Sequence, residues 1–167
     1  EAKGILSFLY LWVEDEPILA FKHSKDLVAH FPKNYYFNLL LLESMIRIGN
    51  SQKIKAIIED IELLSPSLTH RQKVWYGSYF DYERALFSFH QNKYSDALEF
   101  LNSAINSYTA ELDIILGNAY LLQGMTYDMM NDRIEAKSSY KKCLKLDNFS
   151  SAMNKAKQYL NQPYQGQ

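Results

Sequence analysis

The spacing of two prolines constrains the fold more than any other feature of the sequence. Pro32 and Pro66 lie 34 residues apart, and each separates two stretches with helical periodicity. Counted back from each proline, two 34-residue units cover residues 1–34 and 35–68 without a gap, and Gly49-Asn50 marks the internal turn of the second. A fixed period of this length predicts stacked, repeated supersecondary units.

Two further units continue this period. The third covers residues 78–111 and the fourth covers residues 117–150. Both place small residues and aromatic residues at helical spacing, and apolar positions at i, i+3 or i+4, and i+7 predict two amphipathic helices in each unit. In the third unit the marking residues are Ala85, Tyr94, Ala97, Leu101 and Ala104. In the fourth they are Tyr120, Gly124, Tyr127, Ala136, Tyr140 and Cys143.

This pattern resembles the tetratricopeptide repeat, which reads W-x2-L-G-x2-Y, then A-x3-F-x2-A, then P over 34 residues. The resemblance is strongest in the fourth unit, where Tyr120, Gly124, Tyr127 and the run Ala136-x3-Tyr140-x2-Cys143 fall in order. It implies an all-α fold in which antiparallel helix pairs stack into a right-handed superhelical solenoid. We therefore expect a single tetratricopeptide-like domain over residues 1–167.

Two insertions and the C-terminal segment depart from the period. Residues 69–77 and 112–116 are predicted to lengthen the first helices of the third and fourth units. Thr69 followed by Gln72 has the spacing of a capping box, which predicts a long helix through about Gln91. Residues 151–167 are predicted to form a capping helix as far as Asn161, followed by a frayed end that contains Pro163 and Gly166.

The sequence has no spacing of residues that points to an enzyme. The four histidines are scattered, and Cys143 falls where the repeat takes a small buried residue. The acidic cluster Glu14-Asp15-Glu16 precedes Pro17, which suits the start of a helix better than it suits a catalytic pair. Neither a P-loop nor a dinucleotide-binding fingerprint is present. We expect a protein that is not an enzyme and that uses no cofactor or metal.

Charge and hydropathy narrow the classes of partner. With 18 basic and 19 acidic side chains the net charge is -1, which does not favour nucleic acid. No apolar run approaches the roughly 18 to 20 residues of a membrane span. Because the chain begins with Glu1 and not with Met, we expect a fragment or processed form, and the sequence predicts no compartment.

One local concentration of charge lies in the last predicted pair of helices. Basic residues recur every four positions on one helix face, at Arg133, Lys137, Lys141 and Lys145. This stripe is interpreted first as a solvated convex face, because no aromatic residue interleaves it as single-strand nucleic-acid binding requires. A site for an acidic partner along Arg133 to Lys145 is a weaker alternative.

The resemblance also implies a concave groove, lined by the first helix of each unit, that holds a peptide or a partner helix. The carboxylate clamp of the chaperone-binding members is absent from these positions, which are rich in Tyr, Leu and Met. Such a surface favours a protein segment over a small polar metabolite. We therefore predict a protein-interaction or scaffold module. Its predicted groove residues are Trp12, Tyr36, Glu43, Arg47, Tyr79, Tyr82, Leu86, His90, Asn118, Leu121, Met125, Asp128 and Met129.

The main alternative is self-assembly, with homodimerisation as the function. Trp75 and Tyr76 would form an aromatic edge on the protruding third pair of helices. Trp12 and the run Leu39 to Leu42 would lie at an unpaired end of the solenoid. Exposed apolar surface of this kind favours the pairing of two copies.

Overall fold

The computed structural model describes residues 2–49, 53–108 and 113–166. Within these ranges the regular elements are helices, which confirms the all-α prediction for this part of the chain. Asn50 and residues 109–112, which belong to the predicted units and to the second insertion, lie outside the described residues. The helices are α1 (Ala2–Trp12), α2 (Pro17–His30), α3 (Tyr35–Arg47), α4 (Ile54–Leu64), α5 (His70–His90), α6 (Tyr94–Asn106), α7 (Ile114–Met129), α8 (Arg133–Lys145) and α9 (Ser151–Asn161).

The helices group into two compact units. Unit 1 is Glu1–Tyr76 and unit 2 is Gly77–Gln167, and the boundary falls within α5. Helices α1 to α4 belong to unit 1, and α6 to α9 belong to unit 2. The single domain and the right-handed solenoid stay predictions.

Unit 1 is built from helices that are adjacent in the chain and packed against each other. Lys3 of α1 forms an ion pair with Asp26 of α2. Further along α1, the ring of Tyr10 stacks on the ring of His23 at 5.8 Å between centroids. Because the later residue of α1 meets the earlier residue of α2, these helices are antiparallel. Fully buried apolar side chains of this unit include Leu11, Trp12, Leu39, Leu40, Leu42 and Ile61.

Unit 2 follows the same antiparallel arrangement. The Oγ of Ser78 in α5 donates to the carbonyl of Ala104 in α6 at 2.8 Å. The Oγ of Ser103 in α6 donates to Asp81 in α5 at 2.6 Å. A compact apolar core joins α7, α8 and α9. Its buried members are Leu121, Ala136, Tyr140, Cys143, Ala152, Met153 and Ala156.

The turns inside the four predicted repeats share a left-handed backbone conformation. Positive φ angles occur at Asp15, Gly49, Asn92 and Asn131, one in the turn between the two helices of each repeat. Glycine, asparagine and aspartate are the residues that tolerate this conformation best. In the last two repeats the same hydrogen bond closes the turn, from Lys93 N–H to Ser88 O at 2.9 Å and from Asp132 N–H to Tyr127 O at 2.8 Å. This recurrence is expected of a repeated helix–turn–helix unit.

Helix ends agree with several predictions from the sequence. The N–H of Thr69 donates to Gln72 Oε1 at 2.9 Å, and the N–H of Gln72 donates to Thr69 Oγ1 at 3.3 Å, so the capping box is confirmed. The long α5 that it predicts is also confirmed. Helix α7 begins at Ile114, so the insertion 112–116 is helical from that residue. Helix α9 coincides with the predicted capping helix.

Candidate partner-binding site

In unit 1, three of the predicted groove residues form a buried charged cluster. Trp12 and Glu43 are fully buried, and the side chain of Arg47 is 13% exposed. Arg47 Nη2 lies 2.5 Å from Glu43 Oε1. Its Nη1 donates to the carbonyl of Leu11 at 3.0 Å and to Asp15 at 3.2 Å. The guanidinium also lies 5.5 Å from the centroid of the Trp12 ring. This cluster therefore ties α3 to the C-terminal end of α1.

Tyr36 is the remaining groove residue of unit 1, and it is half-buried. Its ring stacks on Tyr76 with centroids 6.0 Å apart and planes at 20°. Burial, with smaller contributions from Tyr76 and Glu43, raises the pKa of the Tyr36 hydroxyl well above its usual range. The hydroxyl is therefore neutral at physiological pH.

In unit 2, most of the predicted groove residues also face inward. Asn118 is buried and donates to the carbonyl of Ile114 in its own helix at 3.0 Å. Side chains three or four positions apart share a helix face, and a shift of one residue turns a side chain by about 100°. His90 is exposed, and Met125 and Met129 are half-buried. The other buried residues of this set are Tyr79, Tyr82, Leu86 and Leu121.

Asp128, at the end of α7, is the centre of a polar network. Its side chain is only 1% exposed. Arg133 Nη1 donates to both carboxylate oxygens at 3.0 Å, and the Tyr140 hydroxyl donates to Oδ2 at 2.8 Å. Burial and this bond to Asp128 raise the pKa of Tyr140 well above its usual range. The carboxylate is thus held in one orientation by residues of α8.

Arg133 links the same network to α9. Its Nη2 donates to the carbonyls of Tyr159 and Leu160, both at 2.8 Å, in the last turn of that helix. Arg133 is therefore an internal anchor, in contrast to the solvated position that the basic stripe implies. The lysines of the stripe, Lys137, Lys141 and Lys145, are exposed on α8.

Residues 162–166, called the tail below, lie against this network. The N–H of Tyr164 donates to Asp128 Oδ2 at 2.9 Å. The ring of Tyr164 lies 5.9 Å from that of Phe89 in α5 and 5.3 Å from that of Tyr159 in α9. A Cβ at Gly166 would lie 3.7 Å from Met129 Cε. The frayed end that the sequence predicts is therefore wrong for these residues, because an aromatic ring and a buried carboxylate hold them.

The tail thus contacts two predicted groove residues, Asp128 and Met129, which the structure brings together. Sequence reasoning missed the aromatic contacts of Tyr164, although an aromatic residue directly after a proline and a helix end was a visible signal. It also missed Phe89, which sits beside the predicted His90.

Comparison with known proteins assigns no family. No protein-family model matches the chain, and no curated protein matches it significantly. Among residues 2–49, 53–108 and 113–166, no group of three or more His, Cys, Asp or Glu could hold a metal ion. The helices of the described residues include none with the length and apolar character needed to cross a membrane.

Proposed function

We propose that the chain is a non-enzymatic protein-interaction module of tetratricopeptide-like helix pairs. Its partner would be an extended segment bound where Asp128 and Met129 line the groove. The observation that supports this proposal is the tail itself, an extended piece of chain held there through a main-chain hydrogen bond and ring contacts. A surface that holds one extended segment in this way has the chemistry to hold another. The recurring left-handed turns support the repeat assignment.

The chemistry of this surface favours a peptide over a small metabolite. Every residue except proline carries the N–H that Asp128 accepts, so this contact positions a main chain and does not select its sequence. A bond from a neutral donor to a carboxylate is stronger than one between two neutral groups. Selectivity would come from the aromatic rings of Phe89 and Tyr159, which accept a flat apolar side chain.

The test is selection of peptides from a phage-displayed library on the whole chain. We expect binders that contain an aromatic residue, and we expect Met129→Glu to weaken them by about tenfold or more, because it adds a charge beside Asp128. Met130→Glu is the matched control, since the adjacent Met130 is exposed at the end of α7. Binders that tolerate both changes equally would place the partner site elsewhere, and failure to select any binder would reject the proposal.

A second candidate function is self-assembly through the outer face of α1. Ile5, Leu6 and Leu9 share that face and are 62%, 37% and 38% exposed. Lys3 is the one charged residue in the sequence of α1. A helix that is apolar on all sides is normally buried. The residues that first suggested an unpaired end, Trp12 and the run Leu39 to Leu42, are in the core of unit 1.

The mass of the protein in solution tests this second candidate. If α1 pairs with a second copy, wild type is a dimer and Leu9→Glu is a monomer, because the new carboxylate would be desolvated in the interface. Leu63→Glu serves as the control, since Leu63 of α4 is 78% exposed in the same unit. A wild-type monomer at all concentrations would exclude homodimerisation.

A further inference from the structure

We infer that the tail is a built-in competitor for the partner site. Residues 162–166 occupy the place of the partner, and a segment of the same chemistry must displace them in order to bind. That chemistry is an extended peptide with an aromatic residue directly after a proline. This inference rests on the proposed function and adds both the class of ligand and its regulation.

The backbone of the tail is shaped to enter and leave this site. Gln162 is extended, with φ -121° and ψ 120°, as expected for a residue that precedes a proline. Pro163 cannot continue α9, so the chain leaves the helix and presents the N–H of Tyr164 to Asp128. At Gly166 the φ angle is +83°, a conformation that favours glycine, and the chain changes direction beside Met129.

The site is built from groups that do not belong to the tail. Asp128 is oriented by Arg133 and Tyr140, both on α8. Arg133 is fixed in turn by carbonyls at the end of α9. When the tail leaves, the carboxylate therefore keeps its orientation and its main-chain acceptor faces outward. This is what a replaceable ligand requires, since a second segment meets a site that is already formed.

The aromatic walls are also independent of the tail. Phe89 of α5 is buried and packs against Tyr94 of α6, with ring centroids 5.7 Å apart. Tyr159 of α9 packs against Tyr140 of α8 at 6.0 Å. The ring of Tyr164 enters between these two pairs. Another aromatic side chain would meet the same rings in the same places.

The tail has a large kinetic and thermodynamic advantage over a ligand from solution. It follows α9 directly, so its local concentration at the site is of the order of millimolar. A free peptide with the same contacts must compete with that concentration. The apparent affinity of the site is lowered by the fraction of molecules in which the tail is bound. Weakening the tail should therefore strengthen binding of a free peptide.

The experiment measures binding of a free copy of the tail to the full chain. The probe is a fluorescein-labelled peptide with the sequence of residues 161–166, Asn-Gln-Pro-Tyr-Gln-Gly, followed by fluorescence anisotropy. We expect Tyr164→Ser to bind the probe about tenfold or more tightly than wild type, because the tail no longer competes. Tyr164→Phe keeps the ring and should behave as wild type. Gln165→Ser, at an exposed position of the same tail, is the matched control.

Two further measurements keep the result unambiguous. Circular dichroism should show the same helical content in all variants, since the tail is not helical. Adding Met129→Glu to Tyr164→Ser should abolish the gain, which locates the probe at this site. A probe in which Tyr is replaced by Ser should not bind to any variant.

The outcomes separate this inference from the proposed function. If wild type and Tyr164→Ser bind the probe equally, competition by the tail is refuted while peptide binding stands. If library peptides bind at Met129 but the probe binds no variant, the assigned ligand chemistry is refuted. If neither class of peptide binds, both proposals fail and the tail is a structural strap. If wild type is a dimer that Tyr164→Ser converts to a monomer, the tail acts between copies and the intramolecular assignment is overturned.

Discussion

Gly124 is the residue at which α7 and α8 come closest. A Cβ at this position would lie 2.3 Å from Tyr140 Cε1 and 2.6 Å from Cδ1, well inside van der Waals contact. Tyr140 is fully buried and its hydroxyl is bonded to Asp128, so the ring has little room to move. The sequence predicts this close approach from the small residue alone, but it does not show that the opposing group is a ring.

Replacing this glycine should therefore destabilise unit 2. We expect Gly124→Ala to lower the free energy of unfolding by about 1–3 kcal/mol, the usual cost of overpacking a core. Gly77→Ala is the control, because no described atom lies within 4 Å of a Cβ there and alanine favours a helix interior by about 0.5–1 kcal/mol. Denaturant unfolding followed by circular dichroism measures both. Equal effects of the two changes would show that the contact with Tyr140 is not the cause.

Single residues also show why the candidate site was only partly predictable. Glu43 was assigned to the groove because charged side chains are normally exposed, yet it is fully buried and paired with Arg47. The spacing of four residues indicates that such a pair can form, but not whether its helix face points inward. Asp128 was assigned correctly to a contact surface, but its contact is 36 residues away at Tyr164. Periodicity carries no information on contacts of that separation.

At the scale of elements, local signals predicted most helix ends. The capping box of α5 and the bounds of α9 depend on residues that are close in sequence, so the chain itself displays them. The four turns with positive φ are local in the same sense, and three of them use Asp or Asn in place of glycine. The path of the chain after α9 depends on aromatic residues from other helices, which explains why it was missed.

The start of α5 offers a test of this local control. We expect Thr69→Ala to lower the free energy of unfolding by about 1 kcal/mol, because the N–H of Gln72 loses its acceptor and the cap of a long helix is removed. Thr69→Ser retains the hydroxyl and should have little effect. Chemical denaturation measures the difference, and an equal loss in both variants would assign the effect to the methyl group of the threonine and not to the cap.

At the scale of the whole molecule, buried proton donors should set the stability at high pH. Burial raises the pKa of Cys143 from an ordinary value of 9.0 to about 12, and it raises the pKa values of Tyr36 and Tyr140 further above their ordinary value of 10.0. The folded state therefore holds these protons more tightly than the unfolded state does. Their contribution to stability is complete below about pH 9 and is lost as the pH rises through the folded pKa values.

This linkage predicts a specific alkaline profile. The free energy of unfolding should be insensitive to these groups near neutral pH and should fall steadily above about pH 9, as measured by urea unfolding at a series of pH values. Cys143→Ala removes one of the groups, so its curve should start lower because of the lost packing but fall less steeply. A slope that is unchanged by this substitution would show that the thiol does not take part.

The burial of Cys143 has a practical consequence for spectroscopy. It is the one cysteine in the sequence, its side chain is fully buried, and its Sγ lies 3.9 Å from the carbonyl of Ala152 in α9. Very little of it is thiolate at neutral pH, and maleimides and spin-label reagents react with the thiolate. A cysteine introduced at an exposed position such as Gln165 would therefore take up a dye selectively in the native background. The protein is suited to single-site labelling without removal of its own thiol.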